Sequence, residues 1–443
     1  MAMTLSSTGG IPASIPDVWF KKELLKFGDY NLLYRRFAQK EKLPPGSGKV
    51  WKASRMKRLE LPLDALSEGV TPAEYTLDME HVSATASQFG IVVTLTDAAE
   101  LTIATPLLQQ AVMLVRDSME RFDNEFICEA LLAGANVKFG GAATTRAGLA
   151  ETDVLATAEL KETLSFLEFP DDTWGAAPKY ENGKYVCLLH RKHELDLLND
   201  TLWKDMAIRQ GRDALEKGSV ASWMGIDFYV TNHGPKLQNL GNPTIVEDTT
   251  VVVADAFGLA GAKWTRRNGQ GTLANSVDVD YTITRRHKHR RFEEGISDIL
   301  DHAAGNDGAN TNAVDVKMPS ATAYVYSLYA GANNGTMFRV ASNLAAGEVF
   351  QVDSIPSSGV ASPARVGITG TVGGDRSVYV SFVMGRGAYA VVDLDRMEAG
   401  VSEDKRSDSD PLKQRRKVGA KWFGGALVLA DNNLVRIEAA SAF

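Results

Sequence analysis

Polar and apolar residues alternate along two stretches near the start of the chain, and this pattern predicts a hairpin of two long strands. The stretches are residues 49–59 and 75–96, in which β-branched and aromatic residues occupy many alternate positions. The turn-rich segment LPLDALSEGVTP lies between them. Because an isolated hairpin buries too little apolar surface to be stable, we expect it to pack against another surface, such as a neighbouring copy of the chain.

The residues before the hairpin have the composition of an extended arm. Residues 1–17 are rich in Ser, Gly and Pro, and they offer too little apolar surface to offset the entropy lost on ordering. From Asp17 to Gln39, apolar residues including Trp19 recur at broadly helical spacing, with an interruption at Gly28. We predict a short helix there, preceded by an arm that requires a partner.

The strongest helical pattern predicts a helix from about Pro106 to Ala133. Thr105 can cap its first amides, Pro106 suits the first helical position, and Gly134 ends the helix. Such a helix is about 40 Å long. Its apolar stripe comprises Leu108, Val112, Val115, Met119, Phe122, Phe126 and Ala130. The polar face is predicted to carry Arg116, Asp117, Glu120, Arg121, Asp123 and Asn124.

Helices and strands alternate in the next part of the chain, which predicts a mixed α/β module. Helical patterns at 153–167 and 202–215 precede the strand-like runs KYVCLLH and GIDFYVTN. Between about residues 234 and 376, short β-branched runs separated by Gly, Asn, Pro and Ser predict an all-β insert. Strands return after residue 377, so the predicted class is α+β.

Composition narrows the possible roles. The 443 residues are 44% hydrophobic and carry a formal net charge of -7, which argues against wrapping nucleic acid through overall charge. Cys128 and Cys187 lack CxxC spacing, so neither a disulfide framework nor a zinc ribbon is predicted, and a reducing compartment fits best. The sequence shows neither a signal-peptide pattern nor an apolar run of about eighteen residues, so no membrane association is expected.

The sequence provides little support for catalysis. His190 and His193 have a spacing that metal sites use, but a third ligand at a recognisable distance is missing, so packing histidines are the favoured interpretation. The chain lacks the GxSxG, HExxH and GxxxxGK[ST] motifs of hydrolases, zinc proteases and nucleotide-binding loops. We therefore predict a protein that is not an enzyme and binds no cofactor or metal.

The run RRHKHRR concentrates five positive charges in seven residues. Arg285, Arg286, Arg290 and Arg291 are predicted to contact a neighbouring subunit through charge-assisted hydrogen bonds, or to form a solvated loop. Contact with DNA phosphates is the alternative. It is less favoured because the run lacks aromatic residues for stacking on bases.

Three ordered blocks of the sequence carry a resemblance to a known family. The first block is LSEGVTPAEYTLDMEHVSATASQFGIVVTLTD, at residues 66–97. The second runs from YVCLLHRKHELDLL through SWMGIDFYVTNHGP, and the third from VYVSFVMGRGAYAVVDL through DNNLVRIEAAS. Together with their joins they cover about two-thirds of the chain. These blocks resemble the major capsid proteins of tailed phages, typified by the coat protein of the N-four-like phages.

This resemblance implies the Hong Kong 97 fold and a division of the chain into an N-terminal arm (1–48), an extended hairpin loop (49–97), a peripheral domain with a spine helix (98–150), an axial domain (151–233), a β-rich insertion (234–376) and return strands (377–443). The chain departs from the family at the insertion, which we expect to form a small barrel or sandwich projecting from the axial domain. The predicted subunit-contact residues are Trp19, Ser67, Glu68, Gly69 and Val70, together with the four arginines above.

The function implied is that of a virion subunit. Many copies would form the pentamers and hexamers of an icosahedral shell, assembled in the bacterial cytoplasm and enclosing double-stranded DNA without sequence-specific binding. The implied partners are scaffold, portal and decoration proteins. The scaffold is expected to be a separate protein, because the chain lacks a long charged N-terminal scaffolding helix.

Three other functions remain open. An encapsulin-like compartment would enclose cargo protein rather than DNA. A β-rich carbohydrate-binding or adhesion protein would be a monomer, and only the insert supports it. An unrecognised hydrolase is disfavoured by the missing motifs.

Overall fold

The computed structural model describes residues 33–442 with internal gaps. The gaps are 45, 47, 60, 62–73, 97–106, 170–174, 205–221, 240–262, 268–277, 294, 298–299, 304–312, 333–335, 364–376 and 402–414. The predicted contact residues Trp19, Ser67, Glu68, Gly69 and Val70 therefore lie outside the described residues. The same holds for the caps Thr105 and Pro106, for the first 32 residues and for most of the helix predicted at 202–215.

The described helices are α1 (Tyr34–Phe37), α2 (Leu107–Leu132), α3 (Thr157–Glu168) and α4 (Arg191–Asn199), with 3-10 turns at Arg146–Gly148 and Asp431–Asn433. The helices predicted at 106–133 and 153–167 form with small changes at their ends, and α1 lies at the end of the stretch 17–39 where a short helix is predicted, whereas the sequence periodicity does not predict α4. The long helix α2 is confirmed, and the Gly134 amide donates to Leu131 O at 3.1 Å just after its end. Helix α3 begins four residues later than predicted, because Val154 forms a β-bridge with Ala440.

Strands dominate the described chain. In chain order they are β1 (Gln39–Lys42), β2 (Val50–Met56), β3 (Met79–Thr85), β4 (Ser87–Thr96), β5 (Val137–Phe139), β6 (Tyr185–His190), β7 (Ser222–Trp223), β8 (Ile226–Thr231), β9 (Lys236–Asn239), β10 (Lys263–Arg267), β11 (Asp278–His287), β12 (Gly295–Ile296), β13 (Leu300–Ala303), β14 (Ala313–Lys317), β15 (Tyr324–Ala332), β16 (Phe338–Leu344), β17 (Val349–Val352), β18 (Ser377–Met384), β19 (Tyr389–Val401), β20 (Arg415–Val428) and β21 (Leu434–Ala439). The predicted α+β class is confirmed.

The chain divides into two compact units, and the described residues of the smaller one are 88–96, 107–120, 396–401 and 415–422. In this unit β4 lies beside β20. The Phe89 and Trp422 rings stack at 5.9 Å. Gly90 allows the close approach of these strands, because a Cβ there would lie 3.1 Å from Ala420 O, tighter than an ordinary van der Waals contact. Within the described part of the chain, no helix combines the length and apolar character needed to span a bilayer.

The larger unit contains a twelve-stranded sheet centred on β18. Its main order is β16-β15-β11-β12-β9-β18-β6-β8-β7, with β13, β21 and β5 attached beside this path. All eight residues of β18 are buried, as expected for a central strand. Helices α3 and α4 contribute Leu160, Leu164 and Leu197 to the core on the sheet near β6 and β21.

The β-rich insert extends this sheet. Its strand β9 pairs with β18 on one side and with β12 on the other, so the sheet continues across the insert boundary. The insert also has an apolar core of its own, which includes Tyr281, Leu328 and Val352. A separate three-stranded sheet has the order β10-β14-β17. The predicted β-rich texture is confirmed, but the insert shares its backbone hydrogen bonds with the central sheet.

Candidate functional site

The predicted hairpin forms, and its two strands pair in antiparallel register. Strands β2 and β3 match over seven residues, from Val50 opposite Thr85 to Met56 opposite Met79. The second predicted stretch is broken at Ala86, after which β4 begins. Two ion pairs link the hairpin strands. Arg55 pairs with Glu80 within this register, and Lys57 pairs with Asp78 just beyond its end.

One face of the hairpin is exposed along its whole length. We call this the open face, and it consists of Val50, Lys52, Ser54, Met56, Met79, His81, Ser83 and Thr85. Met56 is 60% exposed and Met79, directly opposite, is 47% exposed. The adjoining residues Leu61 and Leu77 are 77% and 68% exposed. Contiguous apolar exposure of this kind marks an interaction surface.

The opposite face anchors the base of the hairpin. Ala84 is buried in a cluster with Leu43, Ala86 and Val392, and Trp51 packs against that cluster. The hairpin is therefore fixed at its base, while its open face, with the exposed pair Met56 and Met79, points to solvent.

The end of the predicted arm folds onto the body of its own chain. The Arg35 guanidinium lies 2.7 Å from the Asp123 carboxylate and also binds Asp393. The Tyr34 amide donates to Asn124 Oδ1 at 3.3 Å, and β1 pairs in parallel with β19. One sequence-based prediction needs correction, because Asp123 and Asn124 are buried rather than on a polar outer face of the helix. Contacts of the arm with other subunits stay a prediction.

The basic run binds groups of its own chain. The Arg285 side chain is largely buried, donates to Gln238 Oε1 at 2.7 Å, and lies over the Tyr324 ring at 4.4 Å. Arg286 donates to Arg290 O at 3.1 Å and to Asn343 Oδ1 at 2.7 Å. These two arginines therefore link separate strands and loops of the insert to one another.

The last two arginines bind helix α2. Arg290 lies 2.5 Å from the carboxylate of Glu125, whose side chain is 4% exposed. Arg291 pairs with Glu129 and stacks over Phe126 at 4.8 Å. Glu125 and Glu129 are one helical turn apart, so both face the insert. The predicted solvated loop is thus wrong for these arginines, and their contact with neighbouring subunits stays a prediction.

The histidines of the HRKH motif pack in the core. His190 caps helix α4 by accepting the Lys192 amide at its Nδ1 (3.1 Å). His193 is fully buried, with Nδ1 2.7 Å from Ser381 Oγ and Nε2 3.2 Å from Ala439 O. Within the described ranges, no group of three or more His, Cys, Asp or Glu side chains is arranged to hold a metal ion.

Buried histidines are expected to make the fold sensitive to acid. Burial lowers the pKa of His190 to about 3 and the pKa values of His193 and His233 to about 4. An unfolded histidine titrates near pH 6.5, roughly, so the unfolded chain takes up these protons first as the pH falls. The contribution of these neutral histidines to the free energy of unfolding is therefore fully present above that pH. It declines toward pH 4, by on the order of several kcal/mol in total.

Thermal unfolding measured from pH 7.5 to 4.5 tests this prediction. We expect the midpoint to fall with pH, and His193→Gln to have a shallower dependence than the native chain. Burial raises the pKa values of Asp123 and Asp196, which opposes the loss at the acid end. A pH-independent midpoint would contradict the assignment of neutral buried histidines.

A buried ion pair links β21, the last strand, to the 3-10 turn at Arg146–Gly148. Glu438 has a fully buried side chain, and it accepts two hydrogen bonds of 2.6 Å from Arg146. Arg436 lies 2.8 Å from the same carboxylate. The sequence does not predict this pair, because 292 residues separate its members.

The sequence matches no protein-family model and none of the curated proteins. Solved structures of phage capsids do match. The head structure of Helicobacter pylori bacteriophage KHP40 aligns at a TM-score of 0.51 and 8% identity over 100% of both chains. The acidic stable capsid of Helicobacter pylori bacteriophage KHP30 aligns at 0.51 and 9% identity over 99% of both. The capsid of cyanophage P-SCSP1u aligns at 0.50 and 12% identity, covering 99% of this chain and 97% of that one.

This chain has the Hong Kong 97 fold of phage capsid proteins. At these identities the likeness establishes the fold. The division into arm, hairpin loop, peripheral domain, axial domain and insertion, as inferred from the sequence, stays a prediction.

Proposed function

We propose that the chain is the major capsid protein of a tailed double-stranded DNA bacteriophage, which assembles into the pentamers and hexamers of an icosahedral shell. The observation that carries this proposal is the capsid fold, which extends over 97% or more of both chains in the alignments. A likeness over whole chains favours a role for the entire molecule rather than for one embedded module.

The open face supplies the kind of contact that a shell subunit needs. Covering a large apolar side chain contributes roughly 1.5–3 kcal/mol. Met56, Leu61, Leu77 and Met79 are all exposed on the hairpin and its extension, so a neighbouring copy that covers them gains several such contributions. Because each subunit meets several neighbours, individually modest contacts add up to a stable particle.

The charge of the chain suits a container for DNA. With a net charge of -7, the subunit has little overall attraction for phosphates, so packaged DNA is enclosed without tight or sequence-specific binding. In this proposal the subunit is a virion component without catalytic activity or cofactor. It assembles in the bacterial cytoplasm with separate scaffold and portal proteins, and a decoration protein is a further expected partner.

Negative-stain electron microscopy of the purified chain tests the proposal. Closed shells are expected when the protein is expressed alone or with its scaffold. Shells that contain cargo protein and no DNA in infected cells would indicate an encapsulin-like compartment instead. A monodisperse 48.0 kDa monomer under all these conditions would contradict the proposal.

A further inference from the structure

A polar cleft of about 580 Å³ lies between helix α2 and the insert. Helix α2 contributes Glu129 and Leu132, and strands β11, β15 and β16 form much of the opposite wall. The segment around Val360 closes one side, held to β16 by a hydrogen bond of 2.8 Å from the Arg339 amide to Val360 O. A volume in this range accommodates a small-molecule ligand.

Four arginines and two glutamates line the cleft. Arg146 is neutralised by Glu438 behind it, and Arg291 is paired with Glu129. Glu293 accepts a hydrogen bond of 2.9 Å from the Tyr329 hydroxyl, beside the exposed Arg339. The Arg286 guanidinium donates to the neutral acceptors Arg290 O and Asn343 Oδ1. Among the described residues, its charge is not balanced by a carboxylate in contact with it.

The backbone around Arg286 has two unusual features. Asn343 has a φ of 60°, a left-handed conformation that side chains other than glycine adopt infrequently. The pairing of β15 with β16 is irregular between Tyr326 and Tyr329, directly beside the cleft. Bulges and positive φ angles of this kind concentrate at binding sites, where they aim side chains that regular strands would direct elsewhere.

We propose that this cleft is a binding site for an oxyanion, such as phosphate or the carboxylate of an acidic sugar, with Arg286 as its anchor and Asn343 as a positioning residue. A guanidinium presents paired N–H donors that match a carboxylate or phosphate. The hydroxyls of Ser327, Tyr329 and Ser342 line the same cleft and can hydrogen-bond the rest of the ligand. This site goes beyond the proposed shell function and does not depend on it.

Isothermal titration calorimetry of the full-length protein with sodium phosphate, sodium glucuronate and neutral glucose tests the proposal. Sodium chloride is added so that all three titrations have the same ionic strength. We expect saturable binding of at least one anion and none of glucose. Tighter binding of glucuronate than of phosphate identifies an acidic sugar as the ligand class, and the reverse order identifies a simple phosphate. Absence of saturable binding of both anions would overturn the proposal.

Three variants separate binding from structure. Arg286→Ala is expected to weaken anion binding at least about tenfold, since charge-assisted hydrogen bonds have that magnitude. Lys288→Ala removes an exposed positive charge two residues away and is expected to leave affinity unchanged. Asn343→Gly relieves the backbone conformation and removes the amide, so weaker binding without loss of thermal stability supports the positioning role. Equal affinities for the native chain and Arg286→Ala would refute the site.

Discussion

Replacing both Met56 and Met79 with glutamate is expected to abolish shell formation while leaving the subunit folded. The two side chains are directly opposite each other on the open face and are 60% and 47% exposed. Exposed positions of this kind change subunit stability by only about 0.5 kcal/mol, with a similar cost for like charges across a strand pair. Burial of two unpaired carboxylates at every contact costs several kcal/mol each and prevents association.

Sedimentation of assembly reactions measures the particle yield, and circular dichroism measures the fold. The single variant Met56→Glu is expected to lower the particle yield, and Val349→Glu is its matched control, because Val349 is 55% exposed and lies in the insert. We expect the control to assemble. Normal particle yield from the double methionine variant would show that the open face is not an assembly surface.

Replacing Arg146 with alanine is expected to cause the largest loss of subunit stability, about 3–5 kcal/mol. The Glu438 carboxylate is fully buried and would lose two of its hydrogen bonds, and among the described side chains Arg436 is the ion-pair partner that it would keep. An uncompensated buried charge costs far more than an exposed one. Urea unfolding of the unassembled subunit measures the difference.

Lys138→Ala is the control for this variant. Lys138 pairs with Glu162 at 3.0 Å, but both side chains are substantially exposed, so we expect a loss of no more than about 1 kcal/mol. The triple variant Arg146→Met/Arg436→Met/Glu438→Met is expected to recover much of the lost stability, since it removes all three charges of the buried cluster together. Equal losses for Arg146→Ala and Lys138→Ala would contradict the burial argument.

Elements with local periodic signals could be predicted from the sequence. The hairpin strands alternate with period two, and helix α2 has a stripe with helical spacing and a terminal glycine, so the structure confirms both. The insert is β-rich as its β-branched runs predict. For these elements, the signal lies in the local sequence of each strand or helix.

Long-range pairings could not be predicted in the same way. Arg290 and Glu125 are 165 residues apart, and a basic run has the same local pattern whether it binds solvent, DNA or a helix of its own chain. Asp123 and Asn124 look like solvated helix residues until the arm residues Tyr34 and Arg35 are placed against them. The continuation of the sheet into the insert rests on the short pairing of β9 with β12, which carries no periodic signal.

A reconstruction of the assembled particle by electron cryomicroscopy tests the central claim most directly. The account predicts a closed icosahedral shell in which Met56 and Met79 of each copy are covered by another copy. A particle in which the open face of the hairpin remains in contact with solvent would contradict it.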